Sequence, residues 1–320
     1  MSNLRELGIQ GTTDCHTHSG TLDYYNMFTK NIPYTQSVDD LMLKAKLAGV
    51  DNVVTFPFPS SSYWNIKFLV EKGEWVPSGY SDFPYQSENE ILLRACEVNG
   101  GPIFPFLCVD PKAKQQEQID YLSDLWDQGK FFGLKHHSLA TNTKVSDLAK
   151  SGFGDFIAER DIPLIVHTSY LDPFSNPHFA LDFVKKFPTI RMSIAHLGWL
   201  DETVLQKVRE SKNLFTDCST ILQITDFFKN GKFLLSTPNR LIPNNPAQSL
   251  NKYYQYLPDQ LLWGTDEPWT TLVTPDGSYA GKHTYFEEVD VLLRLARISH
   301  DAVRKITVVN PQRFIFGSNR

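Results

Sequence analysis

Pro163-Leu164-Ile165-Val166-His167-Thr168-Ser169 is an apolar run closed by a histidine, and Met192-Ser193-Ile194-Ala195-His196-Leu197-Gly198 repeats the arrangement. Neither run alternates apolar with polar residues. Each therefore reads as a parallel strand buried on both faces. Working outward from these two, runs of the same kind occupy 12–18, 52–57, 103–109, 131–137, 162–168, 191–197, 213–219 and 260–266. Amphipathic helical patterns lie between them. Ser37 precedes the stripe Val38, Leu41, Met42, Ala45 and Ala48, with Gly49 as its stop; Ser37 and Asp40 have capping-box spacing. Asn176-Pro177 and Asp201 read as further helix starts, and Asn310-Pro311 opens a last helix whose Phe314 is placed to pack on the strands.

Strand and helix alternating eight times predict an α/β fold, a closed (β/α)₈ TIM barrel. The rival, an open doubly wound sheet, would leave the polar strand ends strung along an edge. With the first strand near residue 12 and the last helix ending near 316, one domain over residues 1–320 is expected. Long loops follow the second, seventh and eighth strands, at 57–90, 220–259 and 267–285. The first carries Tyr63, Trp64, Phe68, Trp75, Tyr80, Phe83 and Tyr85. It is expected to cover a pocket, with a self-packed satellite core as the competing reading.

Composition narrows the partners. The formal net charge is −5 with no long block of either sign, which argues against nucleic acid or an anionic membrane surface. Cys15, Cys96, Cys108 and Cys218 are scattered, without the spacing of a disulfide framework or a cysteine zinc site. The N-terminal MSNLRELGIQG lacks the apolar run of a signal peptide, and no stretch approaches the ~18 apolar residues of a membrane span. A cytoplasmic protein with a small-molecule substrate is expected; homo-oligomerisation is left open.

The chemistry sits where the strands end. In Asp14-Cys15-His16-Thr17-His18 a two-residue period puts Asp14, His16 and His18 on one face. Imidazoles so spaced lie about 7 Å apart and can close on one metal ion when the strand twists. Lys135 closes the fourth run, His167 the fifth, His196 the sixth and Asp266 the eighth. A barrel gathers groups so placed at its carboxyl face. Asp110 and Asp217 also close strands and read as structural acceptors for loop amides. Arg240, Lys282 and His283 are candidates for holding an acidic substrate, with surface solvation the stronger reading. His137 is placed to line the pocket.

His-x-His on the first strand, lysine on the fourth, histidines on the fifth and sixth and aspartate on the eighth resembles the amidohydrolase superfamily. The phrases G-L-K-x-H, P-L-I-V-H-T, A-H-L-G, W-G-T-D-x-P-W and N-P-Q-R-F-I-F-G resemble its amidohydrolase-related branch, across residues 12–317. The resemblance implies a divalent metal, with zinc expected, held by His16, His18, His167 and Asp266. It implies catalytic roles for Asp266 as general base, His196 as a polarising or water-orienting group, and Lys135. One ion per chain is favoured, and two if Lys135 is carboxylated. The expected reaction is attack of a metal-activated water on an ester, lactone or amide. The alternative, from the same branch, is nonoxidative decarboxylation or hydration of a small carboxylic acid.

Overall fold

The computed structural model describes residues 3–22, 34–229, 244–270 and 283–317. Among these the strands are β1 (Thr13–Leu22), β2 (Tyr34–Gln36), β3 (Asn52–Pro57), β4 (Ile103–Val109), β5 (Gly133–His136), β6 (Leu164–Val166), β7 (Met192–Ile194), β8 (Leu214–Asp217) and β9 (Leu261–Leu262). They form one sheet in the order β2-β1-β3-β4-β5-β6-β7-β8-β9. From β1 through β3 to β9 every pairing is parallel. These eight strands are the eight runs read from the sequence, most of them trimmed at their ends.

The sheet curls until its ends meet. Cys15 N donates to Trp263 O at 3.0 Å, Asp266 N to His16 O at 2.7 Å and His18 N to Glu267 O at 2.8 Å. Thr17 and Glu267 form a parallel bridge. The seam is tight because residue 264 has no side chain: a Cβ on Gly264 would stand 2.7 Å from the Cβ of His16. The lower part of β1 closes the barrel. Its upper part runs past the rim and pairs antiparallel with β2, from Gly20↔Gln36 to Leu22↔Tyr34. That short strand was not foreseen, because three residues carry no periodic signal of their own.

Alternation along the strands sorts two cores. Val54, Phe56, Phe106, Cys108, Ile165, Phe215 and Leu262 point inward and pack together, while Val53, Leu107, Val109, Leu164 and Val166 face the surrounding helices. Phe314, from the helix Asn310–Phe316, plugs the interior against Phe106 and Phe215, with ring centroids at 6.1 and 5.3 Å. Burying such a ring contributes about 1.5–3 kcal/mol. The amino end of the barrel is thereby filled, and the carboxyl end is left for chemistry.

Other sequence expectations meet their structural counterparts. Ser37 Oγ accepts from Asp40 N at 3.0 Å, opening the helix Val38–Ala48. Asp201 caps Glu202–Glu210 through Val204 N at 2.9 Å. All four cysteines are free. No helix among the described residues is long and apolar enough to cross a membrane.

Candidate metal centre

His16 and His18 reach the carboxyl face on β1, and His196 and Asp266 follow β7 and β9. All four are buried. Asp266 Oδ1 lies 3.2 Å from His16 Nε2 and 3.3 Å from His18 Nε2. One ligand atom each from His16, His196 and Asp266 fall within 4.8 Å of one another. His167, expected as a ligand, stands farther out: its Nδ1 is 3.2 Å from His196 Nε2, and its ring stacks on His137 at 4.1 Å. The sequence reading gave His196 a polarising or water-orienting role, and the structure places it as the third member of the tight cluster.

Asp14 does not join them. The β1–β3 register shifts between Asp14 and Thr17, so the simple two-residue period breaks there. Cys15 packs into the barrel interior, and Asp14 binds Thr265 across the seam, accepting from its amide at 3.0 Å and its hydroxyl at 2.8 Å.

Three imidazoles are tethered on their outer nitrogens. His16 Nδ1 donates to Asp217 at 3.1 Å, His18 Nδ1 to the Pro57 carbonyl at 3.2 Å, and His196 Nδ1 to Ser219 Oγ at 2.9 Å. Ser219 Oγ in turn donates to Asp217. Each Nε2 is left facing inward. Outer tethers of this kind fix ring orientation and raise basicity toward a cation. Asp217 does more than the structural role read from the sequence. It accepts from the amides of His196 and Ser219, both at 3.2 Å, and also from the His16 ring. The available signal was its place, at the carboxyl end of an apolar strand like the other site residues.

Charge is concentrated here. Burial pushes the Asp266 carboxyl up, but His16 beside it and hydrogen bonds from His16 and His18 outweigh that and hold it well below the usual carboxylate range. Burial and Lys135 act to lower His16, and Asp217 and Asp266 more than offset them, so its pKa is raised. Burial lowers His18 and His196 to about 4. Lys135, on β5, is completely buried, and that burial brings its ammonium down to about 8. Its Nζ sits 3.2 Å from His16 Nε2 and 4.3 Å from the centroid of the Phe56 ring.

His196 is presented by an unusual backbone. From His196 through Leu200 every φ is positive, between 51° and 59°, and only Gly198 of the five is a glycine. Side chains of L-residues resist this conformation by about 1–2 kcal/mol each. Buried Leu197 and Leu200 and a 2.6 Å hydrogen bond from Trp199 Nε1 to Thr168 O hold the turn in place.

Above the histidines opens a cleft of about 160 Å³. His18, His167, His196 and Asp266 line it with Trp199, Phe227, Trp269, Leu139, Leu171 and Ile224. The loops after β8 and β9 contribute, as expected of long loops. The aromatic segment after β3 does not, which corrects the expectation that it covers the pocket. Tyr63, Trp64 and Trp75 pack on one another, with centroids at 4.7 and 5.2 Å, and of that segment's aromatic rings Phe58 is the one that stacks on a site histidine, His18. Arg240 and Lys282 lie outside the described residues. His283 pairs with Asp226 at 2.8 Å.

The amidohydrolase family model matches residues 81–317. No curated protein matches the chain. Among solved structures, a probable 2-pyrone-4,6-dicarboxylic acid hydrolase from Acinetobacter baumannii, with citric acid bound, superposes with TM-score 0.62 at 14% identity, over 96% of this chain and 99% of that one. 5-Carboxyvanillate decarboxylase from Sphingomonas paucimobilis gives 0.58 at 12% identity, over 88% and 83%. An amidohydrolase from Burkholderia multivorans with bound zinc gives 0.58 at 13%, over 95% and 98%. Likeness at these identities is a likeness of fold.

Proposed function

This chain belongs to the amidohydrolase family, and on that premise we propose that it is a metal-dependent hydrolase acting on an ester, lactone or amide of a small ring compound. The observation that carries the reading is the convergence of His16, His196 and Asp266 within 4.8 Å. The donors fit a divalent cation. They are nitrogen and carboxylate oxygen, the inward Nε2 atoms are oriented by outer tethers, and His18 Nε2 approaches the same Asp266 oxygen. Zinc suits this set, and the Burkholderia relative carries it. A bound zinc ion supplies Lewis acidity, polarising an oxygen of substrate or water and easing loss of a proton.

The protein's own groups do the rest. Asp266 stays ionised and accepts the proton that an attacking water gives up. His196, locked through Ser219 to Asp217, would present its Nε2 to the cation beside His16 and Asp266. His167 lies behind it as a candidate further ligand, joined through His196 Nε2. For Lys135, the Phe56 ring face at 4.3 Å favours a cation, which supports an ammonium and one metal ion over a carbamate and two. A second reading, decarboxylation of a small acid, draws on the decarboxylase relative and on the apolar walls that Trp199, Phe227 and Trp269 give the cleft.

Elemental analysis after zinc reconstitution should find metal in the wild type and little in His16→Ala. Equal, negligible content in both would sink the proposal. A product assay separates the two reactions: hydrolysis yields a new acid without gas, and decarboxylation releases CO₂.

A further inference from the structure

Asp266 stands on a backbone that its own residue type does not favour. Its φ is 62°, a left-handed value that side-chain-bearing L-residues adopt only when their surroundings impose it. Part of the constraint is local: Asp266 N donates to His16 O, and Trp269 N donates to Asp266 O, both at 2.7 Å. The rest runs through the next residue. Glu267 is 5% exposed, and a carboxylate so far from water must be paired. Its Oε2 accepts from Thr270 Oγ1 at 3.0 Å, which closes the turn 266–270, and its Oε1 accepts from the Lys44 ammonium. Lys44, on the helix Val38–Ala48, also donates to Gln36 Oε1 at 2.8 Å. Gln36, on β2, donates through Nε2 to the His18 carbonyl at 2.9 Å, and His18 N donates to Glu267 O at 2.8 Å. The circuit Lys44, Gln36, His18, Glu267 and back to Lys44 is closed.

We infer that Lys44 and Glu267 are positioning residues for the metal centre, an ion pair outside the cleft that fixes His18 and Asp266 relative to each other. The inference rests on the proposed function and deepens it. The outer tethers of the imidazoles aim single rings. This pair instead fixes the backbones from which two donors spring, one on β1 and one after β9. Neither side chain touches the cluster, so neither is a catalytic residue. Without Lys44 the Glu267 carboxylate would be left buried with the Thr270 hydroxyl alone, and it would turn toward water and carry the turn 266–270 with it. Charge and position make opposite demands here. By charge alone, losing a cation near the site tightens binding of a metal ion, and losing an anion weakens it. If the pair positions the ligands, either loss weakens binding.

The test uses the full chain stripped of metal, titrated with zinc against a chromophoric chelator, and with cobalt(II) read by its visible absorption. Lys44→Met and Glu267→Gln nearly preserve shape. Each should bind zinc about 10–100-fold more weakly than wild type, the usual scale for groups that orient metal ligands, and each should shift the cobalt bands. The double variant should lose no more than the worse single one, because the two act as one unit. Trp64→Ala, destabilised far from the site, should keep wild-type zinc affinity and cobalt bands. Lys44→Met that binds zinc as tightly as wild type or tighter, whatever its melting temperature, would overturn the inference, and so would additive losses in the double variant. Should Lys44→Met not fold, Glu267→Gln decides by its cobalt bands: unshifted bands count against positioning. If neither folds, the pair is a folding element and the inference falls. Wild type that holds zinc alongside unaffected variants would leave the proposed function standing alone. Wild type that holds no zinc would bring down both.

Discussion

In residues 58–85, Tyr63 packs on Trp64, Trp64 on Trp75, and Lys112 covers the Trp75 face at 3.4 Å, whereas the cleft takes Trp199, Phe227 and Trp269 singly from the segments after β7, β8 and β9. The first region is dense in aromatics along the chain and, Phe58 apart, spends them on packing away from the cleft. Asp110 even takes the Trp64 indole N–H, at 2.9 Å, leaving that ring no polar handle for a ligand. The second region shows no aromatic cluster in sequence, because its rings come from separate turns. Rings adjacent in sequence bury one another, and a site needs rings brought from different strands around shared space.

The sharpest way to test this division is to substitute one residue on each side. Asp266→Asn should keep the fold and lower turnover by about 10²–10⁴, since an amide cannot take a proton from water. Steady-state rates and a melting curve measured together check it. Activity within tenfold of wild type would reduce Asp266 to a ligand or a structural group.

Trp64→Ala is the mirror experiment. Removing a buried indole should cost about 3–5 kcal/mol of stability and leave KM within about twofold. Trp269→Ala should do the reverse, raising KM with little change in a urea unfolding midpoint. If Trp64→Ala alters KM as strongly as Trp269→Ala, the aromatic segment belongs to the site after all.

The smallest effect concerns pH. Burial pushes the Asp110 carboxyl up to about 6, against the pull of the Trp64 hydrogen bond. A carboxyl raised on folding stabilises the protein fully below its unfolded pKa, near 4, and that contribution fades as pH rises through 6. Relative to Asp110→Asn, wild-type stability should therefore fall between pH 4 and 7 by roughly 2 kcal/mol. Parallel curves for the two proteins would show that the carboxyl is not held apart from water as described.

Most of the barrel was legible because eight buried runs each carried their own apolar signal. So were His16, His18 and Asp266, which convergence at Asp266 Oδ1 joins. What the chain does not advertise are features set by contact across strands. The bulge that turns Asp14 to Thr265 depends on how β1 meets β3 and the seam, and no local pattern announces it. Asp217 looked like any carboxylate near loop amides, and it does bind them. Its hold on His16 appears only once β8 and β1 face each other. The relative places of His167 and His196 depend likewise on a backbone that L-residues seldom adopt.

That backbone ties two design variables together. In the left-handed turn His196–Leu200, the imidazole at the centre and the indole in the cleft wall ride on one rigid hook three residues apart. Four side-chain-bearing residues at positive φ cost about 4–8 kcal/mol if unsupported, so the hook is imposed by its surroundings and not by its own preferences. Reshaping the wall at Trp199 to admit a larger ring would loosen its tether to Thr168 and shift His196 with it. An engineer wanting new substrates with the old chemistry would do better to cut at Phe227, whose helix Ile221–Lys229 carries none of the clustered residues.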